Sequence, residues 1–65
     1  MNAYQAGDKV RLRRAVAIGG RTLPKGHGGA VAKASPATTP TVCVRLVRDP
    51  GVAFRILDKS DVEHA

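Results

Sequence analysis

The stretch Leu23-Pro24-Lys25-Gly26-His27-Gly28-Gly29-Ala30-Val31 sets three glycines and a proline just ahead of a strand-like run. Glycines clustered in this way mark a turn with positive φ, where any Cβ would clash. Gly26, Gly28 and Gly29 therefore read as a structural turn, with Gly29 admitting the chain to a strand over residues 30–34. The competing reading is a phosphate-cradling loop. That motif needs G-x-x-x-x-G-K-[ST] opening a helix, and a strand follows here.

Working back towards the N-terminus, Gly19-Gly20 interrupt residues 15–25. These read as a long loop folded over the body of the protein, with hairpin character as an alternative. Before the loop, residues 9–13 alternate. Val10 and Leu12 fall on one face, and Lys9, Arg11 and Arg13 on the other, the pattern of a half-buried strand. Arg14 carries the parity of the buried face, so the strand ends or bulges there. Gly7-Asp8 is a turn signal, and residues 1–6 read as a short tail.

Working forward, residues 35–40 hold two prolines and form a loop. Residues 41–47 are the clearest strand, with Val42, Val44 and Leu46 on one face and Thr41, Cys43, Arg45 and Val47 on the other. Arg48-Asp49-Pro50-Gly51 is a turn signal that predicts a hairpin. The next strand, residues 52–57, is read with Val52, Phe54 and Ile56 inward and Arg55 outward. A helical turn over residues 58–61 precedes a short closing strand at 62–64. The expected fold is all-β: a small five-stranded barrel with a long first loop and a helical turn before the last strand. Closure removes the exposed edges that a small sheet must otherwise protect.

Sixty-five residues make one domain, taken as 7–65 behind the tail 1–6. A chain this short buries only about 60% of its unfolded surface. Tyr4, Phe54 and no tryptophan leave Val, Leu, Ile and Ala to build the core. The formal net charge of +6 favours a polyanion or an acidic protein surface as partner; solubility is the plain alternative. The lone Cys43 rules out an internal disulfide and fits a reducing cytoplasm. No apolar run approaches the ~18 residues of a spanning helix. The first residues lack the basic start and apolar stretch of a signal peptide.

The blocks Gly7-Asp8-Lys9-Val10-Arg11-Leu12, Lys25-Gly26-His27-Gly28-Gly29-Ala30-Val31, Val42-Cys43-Val44-Arg45-Leu46, Phe54-Arg55-Ile56 and Ser60-Asp61-Val62-Glu63 together resemble the SH3-like barrel superfamily. The nearest type is the KOW motif of ribosomal proteins and transcription elongation factors, with its G-D-x-V opening and G-x-x-G-x-V core. Similar barrels occur as accessory subunits, such as the ferredoxin–thioredoxin reductase variable chain and the nitrile hydratase beta subunit. The loop from Arg13 to Pro24 is longer than the compact KOW loop. The resemblance covers residues 7–64 and implies the barrel together with a binding role.

The basic residues are the leading functional candidates. Arg11, Arg13, Arg45 and Arg55 share outward parity on different strands, and neighbouring strands would gather them into one patch. Arg21, Lys25 and Lys33 extend it from the loops. The planar guanidinium suits phosphates and carboxylates because it binds them bidentately. The alternative is a set of ordinary solvated strand faces. Single-stranded nucleic acid is disfavoured, because Tyr4 is the only aromatic expected at the surface. His27 is expected exposed at the turn tip, open to titration or phosphate contact. Cys43 lacks an activating neighbour and reads as a packed or interface residue. His27, Cys43 and His64 lack metal-ligand spacing, so neither metal nor cofactor is expected. The five acidic residues form no pair with a nucleophile, and no enzyme is expected. The expected function is a non-enzymatic module binding an anionic partner, nucleic acid first. The alternative is a protein-interaction module, an accessory subunit or a homo-oligomer.

Overall fold

The structure is a computed structural model that describes residues 2–49 and 53–65. The described residues are all-β apart from one 3-10 turn. They form seven strands: β1 (Lys9–Leu12), β2 (Val16–Ile18), β3 (Arg21–Leu23), β4 (Gly28–Val31), β5 (Thr41–Leu46), β6 (Arg55–Asp58) and β7 (Val62–His64). The 3-10 turn Lys59–Asp61 joins β6 to β7. Five strands form one antiparallel sheet in the order β6-β5-β4-β1-β7. The chain meanders through β1, β4, β5 and β6, and β7 returns beside β1. No ladder joins β6 to β7 among the described residues, so the hydrogen-bonded sheet stays open.

The long first loop is a hairpin of its own. β2 pairs with β3, with Ile18 opposite Arg21, so Gly19-Gly20 form a two-residue turn. Their φ values of 58° and 81° are the positive pair that a type I′ turn demands, which is why glycine occupies both places. Ile18 and Leu23 turn inward from this hairpin and join the core. From the sheet come Val10, Leu12, Val31, Val42, Val44, Leu46, Leu57 and Val62, all buried. Their alternation with exposed neighbours makes one face of the sheet apolar and leaves the other to water.

Four expectations are corrected. First, Gly28 and Gly29 lie inside β4 with ordinary φ, and only Gly26 (φ 89°) takes the left-handed turn conformation. The strand accordingly starts at Gly28 and ends at Val31. Gly29 is needed for close approach, because a Cβ there would stand 2.8 Å from the Arg45 carbonyl oxygen.

Second, Tyr4 is core. It is 2% exposed, and its backbone exchanges hydrogen bonds with Ser35 at 2.9 and 2.8 Å. The leading segment is thereby stitched to the loop before β5.

Third, the parity of β6 is reversed. Arg55 lies opposite Val44 and Leu57 opposite Val42, so both face the core side. Ile56 lies opposite Cys43 on the outer face and is 63% exposed, and Phe54 is 40% exposed. Directly paired residues share a face, so register with β5 decides the matter. Val52 lies outside the described residues.

Fourth, His27 is half-buried. Its ring Nε2 sits 2.6 Å from the Val47 carbonyl oxygen, and since a carbonyl only accepts, Nε2 carries the proton.

Candidate anion-binding face

The water-facing side of the sheet is built from the second parity of each strand. On β1 this places Lys9 and Arg11 outward; on β4, Gly28 and Ala30; on β5, Cys43 and Arg45. In register, Lys9, Ala30 and Arg45 form one row across three strands. Strands are spaced by ~4.8 Å, so the two cationic residues stand about 10 Å apart at the backbone. Between them β4 offers only glycine and alanine. The result is a trough of about 540 Å³ floored by small residues and edged by Lys9, Arg45 and Val47.

A second hollow of about 470 Å³ lies at the far end of β1. Arg11, Arg13 and Lys25 meet there around Glu63. Glu63 lies opposite Arg11 on β7, and the Arg11 Nε contacts its carboxylate at 2.7 Å. Arg13 reaches the other oxygen at 3.6 Å. Both arginines remain about half exposed, so these are surface pairs that leave the guanidiniums within reach of a ligand.

The predicted four-guanidinium patch is therefore split. Arg11, Arg13 and Arg45 lie on the outer side. Arg55 is turned under the sheet, because its parity follows Val44. It donates two hydrogen bonds to Asp49, from Nε at 2.9 Å and from Nη2 at 3.3 Å. Arg21, from β3, approaches the same carboxylate at 3.5 Å and donates to the Arg48 carbonyl at 2.7 Å. Asp49 is only 5% exposed. The Arg55 hydrogen bonds hold its carboxyl below the usual range, against burial, and the charges of Arg55, Arg21 and His27 add to the effect. The same hydrogen bonds raise Arg55. This group clamps the β2–β3 hairpin to the β5–β6 loop and is structural. The Arg55 guanidinium also fills the space above Gly19, where a Cβ would meet Nη2 at 2.7 Å.

Lys33 lies exposed in the loop after β4, with its ammonium 5.5 Å from the Phe54 ring centroid. Among the described residues, no carboxylate lies within ion-pairing reach of Lys9, Lys25, Lys33, Arg45, Arg48 or Lys59. Lys9 was missing from the predicted site although its parity with Arg11 was readable. Lys59 is buried, with Nζ donating to the Pro36 carbonyl at 2.6 Å, and nothing local in the sequence signals this. Cys43 is a half-buried free thiol. The described residues contain no metal-binding group of three or more His, Cys, Asp or Glu. They contain no helix long and apolar enough to cross a membrane.

Comparison of the chain with protein-family models, with curated proteins and with solved structures found no match in any of the three.

Proposed function

We propose that the chain is an SH3-like barrel domain of the KOW type, acting as a non-enzymatic module that grips an anionic partner, nucleic acid first. The barrel reading is supported by the strand order, in which four strands meander and the fifth returns beside the first. It is supported too by the hairpin inserted after β1 and by the 3-10 turn linking the two edge strands. A reducing compartment such as the cytoplasm suits the free thiol of Cys43.

The observation that carries the binding reading is the row Lys9–Ala30–Arg45. Two cations without carboxylate partners among the described residues flank a floor of small residues, Gly28, Gly29 and Ala30. A phosphodiester chain lying in the trough would meet Lys9 and Arg45, and its continuation would reach Arg11, Arg13 and Lys25. Arg21 and Arg55 drop out of the binding set because Asp49 engages them.

Binding of this kind is backbone-led and releases counterions, so affinity falls linearly with salt on logarithmic axes. Fluorescence anisotropy with labelled duplex DNA and structured RNA over a salt series tests it. The expected result is a slope of roughly −0.9 per phosphate contacted on duplex DNA. Absence of binding at low salt would sink the reading.

A second reading has its own observation. Val47, Phe54 and Ile56 are exposed at 55%, 40% and 63% around the β5–β6 hairpin. Large apolar side chains left exposed suit a protein partner, as in an accessory subunit or a homo-oligomer. A complex that survives nuclease treatment would favour it.

A further inference from the structure

The two aromatic residues exchange the roles expected of them: Tyr4 is buried and Phe54 faces water. Three features meet at Phe54. The residue is 40% exposed. The Lys33 ammonium rests over its ring, 5.5 Å from the centroid, and no carboxylate among the described residues lies within ion-pairing reach of it. Arg45 donates from Nε to the carbonyl of Ala53, the residue bonded to Phe54, at 3.1 Å. That bond leaves the Nη groups of Arg45 without an acceptor among the described residues. Arg45 also edges the trough. A backbone lying in the trough is thus led by Arg45 to an aromatic face that carries an exposed lysine ammonium.

We propose that Phe54 and Lys33 form a stacking site for one unpaired nucleobase, with Arg45 holding the adjoining phosphate. This rests on the nucleic-acid reading above and narrows it to strands with an unpaired stretch. In the free protein Lys33 covers the ring by cation–π attraction. A base takes that face by stacking, which every base can do because each has a π-face. The displaced ammonium then pairs with a phosphate of the bound strand. Ile56, beside Cys43 on the outer face, extends the apolar surface under the base.

The test compares wild type with Phe54→Ala, Phe54→Leu and Phe54→Trp. The probes are a labelled oligothymidine of about twelve nucleotides and a duplex of equal length, both at low salt. Thermal melting checks that each variant is folded, and Phe54→Leu keeps apolar bulk without the ring if the alanine variant fails to fold. The expected result is oligothymidine binding weakened about five-fold or more by Ala and Leu and retained by Trp, with duplex binding changed less than about two-fold. Unaltered oligothymidine binding in the folded Ala and Leu variants would overturn the stacking site and leave the nucleic-acid reading standing. Failure of the wild type to bind either probe would remove both. Tighter binding to a polyglutamate peptide than to either probe, lost with Phe54→Leu, would overturn the base site in favour of a protein partner.

Discussion

Gly29 and Gly28 are neighbours of the same type with different obligations. A methyl group at Gly29 would sit 2.8 Å from the Arg45 carbonyl oxygen and 3.3 Å from the Leu46 Cα, both backbone atoms that cannot swing away. At Gly28 the nearest such atom is the Val10 carbonyl oxygen at 4.0 Å. Gly29→Ala is expected to destabilise the fold by about 1–3 kcal/mol, as overpacking does. Gly28→Ala is expected to change stability by less than about 0.5 kcal/mol. Urea unfolding of the two variants measures the contrast. Asp49 makes the second prediction at this scale. Its carboxyl stays charged in the folded protein to lower pH than in the unfolded chain. The unfolded state therefore takes up the proton first as acid is added. The stabilisation is complete above the ordinary aspartate value of about 4 and is lost as pH falls through the lowered folded value. Asp49→Asn should melt lower than wild type at neutral pH and lose less of its stability on acidification, as thermal melts across that range would show.

At the scale of elements, the segment ahead of β1 is a working part of the sheet. Tyr4 stacks on His64 of β7 with ring centroids 4.3 Å apart. The buried Lys59 ammonium lies 5.8 Å from the Tyr4 ring centroid and donates to Pro36. The loop containing Ser35 is tied to Tyr4 by backbone and to Thr41 by the Ser35 hydroxyl at 2.7 Å. Tyr4→Ala should then cost about 3–5 kcal/mol, the range for deleting a buried aromatic ring. An exposed tail residue would cost next to nothing, so chemical denaturation separates the two cases. The β2–β3 hairpin is held differently. Among the described residues it forms no ladder with the main sheet, and it is anchored by Ile18, Leu23 and the Asp49 clamp. Part of this was legible. The Gly-Gly pair raised hairpin character only as the alternative to a long loop, whereas the alternation in β1 and β5 assigned their core residues correctly. In β6 both parities carry apolar residues, so alternation could not choose between them.

Across the whole molecule, charge is sorted by where the few acids fall. Asp49, Asp61 and Glu63 engage five arginines. The remaining excess of the +6 chain is left to the trough, the turns and the Lys33 loop. Arg45→Gln should weaken duplex binding and reduce the salt slope by about 1, while leaving the melting temperature near wild type. Arg55→Gln should do the reverse, lowering stability by removing both guanidinium hydrogen bonds to the Asp49 carboxylate, which keeps only the longer Arg21 contact, and leaving the salt slope unchanged. Anisotropy and melting on the same two variants provide the comparison.

What the sequence by itself determined was the all-β class, the existence of β1 and β5, read as 9–13 and 41–47 and one residue shorter in the structure, the turn at Gly26 and the basic character of one sheet face. These follow from period-two alternation and backbone stereochemistry, which are local properties of a few consecutive residues. Only the tertiary structure decided that Tyr4 is core and Phe54 surface, that Arg55 is committed to Asp49 while Arg45 is left open, and that Lys9 joins it across Ala30. Each of these depends on register between strands. A shift of one residue moves every side chain of a strand to the other face, and the partners that fix the register lie far apart along the chain.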